Sequence, residues 1–110
     1  MKTTVIVPAY NRPTSLVLAV KSLVAQADSV DLDILIVDDG STDETVDVID
    51  KLVRSISAVR SVRRENGGVT LARNTGLDHL LADTEIVTFL DSDDAMAEGR
   101  FGPDPALLKA

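Results

Sequence analysis

The chain has 110 residues, 45% of them hydrophobic, with eleven basic residues against eighteen acidic ones and no cysteine. That length means one domain with a modest core, burying roughly two-thirds of its unfolded surface. A net charge of −7 argues against a nucleic-acid partner, which needs a basic face, and the missing cysteines exclude disulfides and thiolate chemistry.

The aromatic residues are Tyr10, Phe89 and Phe101, so the core must be built from Val, Ile, Leu and Ala. No apolar run approaches the roughly 20 residues of a membrane span, and no signal peptide is expected before Val5. The expected location is cytoplasmic, with the inner membrane face as an option.

Thr4-Val5-Ile6-Val7-Pro8 is rich in β-branched residues and predicts a buried first strand. Pro13 can open a helix, and Leu16, Val20, Leu23, Val24 and Ala27 then recur at helical spacing. Asp31 to Val37 reads as a second strand with Ile34, Leu35, Ile36 and Val37 as its apolar part. Ser41 followed by Glu44 fits a capping box, and Val46, Ile49, Leu52, Val53 and Ile56 carry that second helix on one face.

Ala58 to Arg64 is a weaker third strand. Glu65-Asn66-Gly67-Gly68 is a loop whose two glycines can take positive φ. Val69 to Leu81 carries a third helical pattern through Leu71, Ala72, Leu80 and Leu81, with His79 on its surface. Glu85 to Leu90 is a fourth strand that ends in Asp91-Ser92-Asp93-Asp94. The tail from Ala95, with Gly99, Gly102, Pro103 and Pro105, reads as irregular, and 106–109 could start another helix.

Alternating strands and helices predict a three-layer α/β fold around a Rossmann-like parallel sheet. Right-handed crossovers put strands two and three on one side of strand one, and a reversal puts strand four on the other, giving the order 3-2-1-4. Ligands of such sheets bind beyond the carboxyl ends of the strands. Tyr10 and Asn11, Asp38 and Asp39, and Asp91 to Asp94 all fall there.

Gathered at one edge, Asp38, Asp39, Asp91, Asp93 and Asp94 would repel as bare carboxylates. A hard divalent cation, Mg2+ or Mn2+, would relieve that conflict and leave positions for phosphate oxygens. In an extended segment Asp91 and Asp93 point to the same side, so one can take the metal and the other a ligand hydroxyl. A bland reading stands beside this one. A lone D-x-D is common, an acidic loop is usually solvated surface, and a turn plus a helix cap accounts for Asp38-Asp39-Gly40-Ser41.

Four segments taken together are more specific. Val5-Ile6-Val7-Pro8-Ala9-Tyr10-Asn11-Arg12 resembles the opening strand of family 2 glycosyltransferases, and Val37-Asp38-Asp39-Gly40-Ser41-Thr42-Asp43 their second-strand motif. Asn66-Gly67-Gly68-Val69 with Ala72-Arg73-Asn74-Thr75-Gly76-Leu77 is similar to their third block, and Phe89-Leu90-Asp91-Ser92-Asp93-Asp94 to their D-x-D motif. The order and spacing match across residues 3 to 94.

This resemblance implies a GT-A fold and inverting transfer of a hexosyl group. The donor would be a nucleoside-diphosphate sugar, in the first instance a UDP-sugar, and the acceptor a glycan or lipid hydroxyl. By motif, Pro8, Ala9 and Tyr10 line the nucleoside pocket, Asn11 and Gly68 also belong to the substrate-binding set, and Asp39 accepts a hydrogen bond from the base. Arg73 lies near the base or the phosphates. Asp91, with Ser92, holds the ribose, and Asp93 binds the Mg2+ or Mn2+ that bridges the diphosphate. Asp38 is expected to be structural.

Family members continue with an acceptor-binding half that contains the general base, whereas here sixteen residues follow Asp94. The expectation is therefore a truncated form: a donor domain over 1–94, an irregular tail over 95–110, and a chain that binds donor but transfers poorly alone. The open edge of strand four would then invite a second copy, giving a homo-oligomer. Three rival readings are weighed. A haloacid-dehalogenase-type phosphatase has its Asp-x-Asp at the start of the fold, and a receiver domain has its acid pair after strand one. A nucleotide-sugar-binding module without transfer remains open.

Overall fold

β1 (Lys2–Ala9), α1 (Pro13–Ala25), β2 (Asp31–Asp38), α2 (Thr45–Ser55), β3 (Val59–Arg63), α3 (Val69–Asp78) and β4 (Thr84–Phe89) follow one another in strict strand–helix alternation. The structure is a computed structural model and describes residues 2–25 and 31–90. Ala27, the D-x-D segment Asp91 to Asp94, the tail and the short helix expected at 106–109 lie outside the described residues.

All strand pairs are parallel and the order is β3-β2-β1-β4, as expected. β1 and β2 run in register from Lys2 opposite Asp31 to Ala9 opposite Asp38. Flanked on both sides and covered on both faces, these two strands are buried almost throughout, which is why they read as unbroken apolar runs. β3, at an edge, buries only Val59 and then alternates between half-buried and exposed positions.

The faces carry different cores. One gathers Val5, Val7, Ala9, Ile34, Ile36 and Ile86 with Leu16, Val20 and Leu23 of α1 and Ile49 and Leu52 of α2. The other is smaller, with Ile6, Leu35, Val37 and Val87 packed on Ala72 of α3. α3 lies very close to β1 there: a Cβ on Gly76 would stand 2.5 Å from Ile6 Cγ2. No larger residue fits at that turn without pushing the helix off the sheet.

Several local expectations are corrected. Ser41 and Glu44 form no capping box, because Glu44 occupies the N-cap with helical φ and ψ and makes no capping hydrogen bond. Asp43 replaces it, its Oδ1 accepting from the Thr45 N–H at 2.8 Å, while Ser41 Oγ is taken by the Asn11 N–H. Val24, Val46, Leu71 and Leu81 are exposed, so the buried stripe on each helix is narrower than apolar spacing suggested. α3 stops at Asp78, where the His79 N–H turns back to the Gly76 carbonyl. Leu80 then packs on the smaller core from outside the helix.

Candidate functional site

The carboxyl end of β1 lies at the point where the strand order reverses. Its ladder with β4 runs to the Leu90 N–H donating to Ile6 C=O, and Pro8 has no N–H with which to extend it. Pro8 and Ala9 are buried in the strand, whereas Tyr10 emerges with 45% of its surface exposed. Asn11 follows in the left-handed region at φ 49, which asparagine tolerates better than most residues. There it clips the first loop to the second. Its backbone N–H donates to Ser41 Oγ at 3.0 Å, and its Oδ1 accepts from the Thr42 N–H at 2.9 Å.

Asp38 ends β2 and Asp39 follows it directly, so the two face opposite sides of the sheet. Both are buried, and each meets an arginine, Asp38 the one that ends β3 and Asp39 the one directly after it. Asp38 Oδ2 pairs with Arg63 Nη1 at 2.8 Å, and its Oδ1 accepts from the Ser41 N–H at 2.8 Å. Asp39 Oδ1 lies 3.2 Å from Arg64 Nε. The register produces this match: Asp38 stands opposite Arg63, so the next residues face each other on the other side.

Asp39 also anchors the loop before α3. Its Oδ1 accepts from the Gly67 N–H at 3.1 Å and its Oδ2 from the Gly68 N–H at 2.9 Å. Asn66 Nδ2 donates to the Asp39 carbonyl at 3.0 Å. Gly68 is the N-cap of α3, so an aspartate from another strand satisfies donors that the helix start leaves open. Only Gly68 of the expected pair takes positive φ, at 97 with ψ 166. At Gly67 the backbone is unstrained, but a Cβ there would stand 2.7 Å from Arg64 Nη2, so a larger residue would displace the guanidinium.

One expectation changes in consequence. Asp38 and Asp39 do not depend on a metal to relieve their repulsion, because Arg63 and Arg64 already neutralise them. Among the described residues no group of three His, Cys, Asp or Glu side chains could hold a metal.

Of the remaining candidates, Gly68 is bonded directly to Asp39, whereas Asn11 is engaged with the Ser41–Thr42 loop. Arg73, on α3, places its guanidinium 5.4 Å above the centre of the Phe89 ring of β4, a cation–π arrangement. Asp91, Ser92 and Asp93 lie outside the described residues. Sequence reasoning missed Arg63 and Arg64 as site residues. The available signal was a pair of consecutive arginines ending strand three in step with a pair of consecutive aspartates ending strand two. Hydrogen bonds from Thr45 hold the Asp43 carboxyl below the usual aspartate range.

The fold agrees with the relatives of this chain. The family model described as Glycosyl transferase family 2 matches residues 4–103, so the chain belongs to that family. It is 39% identical over 100 residues to a Campylobacter jejuni GalNAc(5)-diNAcBac-PP-undecaprenol beta-1,3-glucosyltransferase, covering 89% of this chain and 31% of that protein. Among solved structures it resembles the mannosyltransferase PcManGT from Pyrobaculum calidifontis in complex with GDP-Man and Mn2+. The TM-score is 0.78 at 30% identity, over 89% of this chain and 29% of that one. It also resembles S. aureus TarS 1–349 in complex with UDP-GlcNAc, with TM-score 0.77 at 33% identity, over 92% of this chain and 29% of that one. The chain thus spans about a third of the length of these relatives, and its fold is that of GT-A glycosyltransferases. Among the described residues no helix is long and apolar enough to cross a membrane.

Proposed function

We propose that residues 1–94 form the donor-binding domain of a glycosyltransferase that takes a nucleoside-diphosphate sugar, with a UDP-sugar as the first candidate. The observation that supports this most is the state of Asp39. It is a buried carboxylate held by Arg64, Gly67 and Gly68 at the carboxyl end of the sheet, one strand from the switch point. A carboxylate offers about four acceptor positions. Oδ1 serves Gly67 beside Arg64. Oδ2 serves Gly68 at 2.9 Å, with Asn66 Nδ2 only at 3.4 Å, so a nucleobase N–H can compete for it.

On this reading Pro8, Ala9 and Tyr10 flank the nucleoside, Arg73 faces the base or the phosphates, and Asp91 with Ser92 holds the ribose. Asp93 would hold Mg2+ or Mn2+, which when bound offsets charge on the leaving diphosphate. The acceptor hydroxyl, on a glycan or a lipid, attacks the anomeric carbon from the far side with inversion. The relatives that bind GDP-Man with Mn2+ or UDP-GlcNAc support a nucleotide-sugar ligand.

Calorimetric titration with a panel of nucleoside diphosphates, with and without Mn2+, tests the reading. We expect one nucleotide to be preferred and its affinity to rise with Mn2+. Asp93→Ala should remove most of the metal dependence, and Asp39→Asn should weaken binding even without metal. Metal-independent binding that ignores both substitutions would refute the assignment.

A further inference from the structure

Arg64 makes more contacts than pairing with Asp39 requires. Nε lies 3.2 Å from Asp39 Oδ1 and donates to the Glu65 carbonyl at 2.9 Å. Nη1 donates to the Leu71 carbonyl at 2.9 Å and to Thr75 Oγ1 at 2.8 Å, both on α3. The loop passes so closely over Nη2 that a Cβ on residue 67 would stand 2.7 Å from it and would force the guanidinium to shift. One rigid planar group, only 23% exposed, therefore sets the mutual position of Asp39, the loop at 66–68 and the helix that carries Arg73. Elsewhere on this side of the sheet, Arg60 bonds Asp33 and the His79 carbonyl and reaches no part of that loop.

We propose that Arg64 is a positioning residue for nucleobase recognition, acting through Asp39; this rests on the reading of Asp39 as the acceptor for the base. Gly67 and Gly68 compete with the base for the Asp39 oxygens. The guanidinium fixes the carboxylate from one side and the start of α3 from the other. Without it, the carboxylate can turn further into the loop and away from a ligand. Lysine retains the charge but has a single nitrogen and no planar fork, so it cannot serve Asp39 and both α3 acceptors together.

The test compares UDP with inorganic pyrophosphate, each with Mn2+, so that base-dependent binding is separated from phosphate binding. The proteins are the unaltered chain, Arg64→Met, Arg64→Lys, Asp39→Asn and the Arg64→Met/Asp39→Asn double variant. We expect Arg64→Met to weaken UDP binding about tenfold and pyrophosphate binding by less than about twofold, the scale of one charge-assisted hydrogen bond. Arg64→Lys should weaken UDP by a smaller factor with pyrophosphate again unchanged, and it carries the test if Arg64→Met does not fold. In the Asp39→Asn background Arg64→Met should add little.

Equal losses for UDP and pyrophosphate, or losses that multiply in the double variant, would make Arg64 merely structural and overturn the proposal. Loss of UDP binding in Asp39→Asn but not in the Arg64 variants would overturn it while leaving the donor-site reading intact. No effect of Asp39→Asn on UDP would remove that reading, and this proposal with it.

Discussion

Arg60 grips Asp33 at two points, Nε 2.9 Å from Oδ1 and Nη2 3.0 Å from Oδ2, across the sheet from one edge strand to its neighbour. Thr4 Oγ1 donates to the same carboxylate at 2.9 Å and lies 2.8 Å from Thr84 Oγ1, so a polar row crosses all four strands beneath the smaller core. Removing one partner strands a buried charge. Because the arginine is itself a third exposed, we expect Arg60→Met to cost about 2 kcal/mol, below the range for a fully buried pair. The double change Asp33→Leu/Arg60→Met should recover much of that loss. Urea unfolding of the two variants measures both.

Gly76→Ala should destabilise by about 2 kcal/mol, the usual scale of overpacking, because its Cβ would meet Ile6 on the central strand rather than a flexible side-chain tip. The thermal midpoint would fall. An unchanged midpoint would show that α3 can slide outward at no cost.

At Gly68 the obstacle is the backbone alone. Its φ of 97 and ψ of 166 fall in a region nearly closed to L side chains, while a Cβ would meet nothing within 4 Å. Gly68→Ala should therefore cost about 1–2 kcal/mol. Gly68→Asn should give no relief, since this is not the left-handed helical region that asparagine tolerates. Unfolding curves for the two variants should nearly coincide.

Asp43 makes a pH prediction. Its folded-state pKa is lowered by the hydrogen bonds from Thr45, so its contribution to stability is complete above the ordinary aspartate value. It is lost as pH falls through the lowered folded-state value. Asp43→Ala should fray the first turn of α2 at neutral pH and match the unaltered chain in strong acid. Amide exchange at Thr45 is the direct readout.

The outer edge of β4 has no strand beside it among the described residues, and by the alternation of the ladder Val87 and Phe89 direct their N–H groups away from β1. We expect the 110-residue chain to associate through this edge as concentration rises. Light scattering that reports a monomer throughout would count against it.

The sheet was legible because β1 and β2 are buried on both faces, so Val5 to Val7 and Ile34 to Val37 announce themselves without any alternation. Motif order located the strand ends for a related reason: in a parallel sheet the polar residues after each strand share one edge. What stayed hidden depended on register. Arg63 and Arg64 were countable, but nothing in a linear reading says that they stand beside Asp38 and Asp39. The counting of like charges therefore pointed to a metal that those two aspartates do not need. The capping box at Ser41 and Glu44 failed similarly. Its spacing was right, but Asn11, thirty residues earlier in the chain, had taken the serine hydroxyl.

The arginine–aspartate matching at the strand ends bears on how an acidic protein approaches an anion. Acidic residues such as Asp47 and Asp50 of α2, and Asp78 and Asp83 flanking the end of α3, sit on the exposed surface, whereas Asp38 and Asp39 are buried and neutralised. Much of the acidic charge on the described residues thus lies on exposed surface, and its field is screened within about 10 Å at 0.1 M salt. Added salt should then quicken diphosphate capture by screening these exposed acids, while the pair of Arg64 with buried Asp39 is weakened much less.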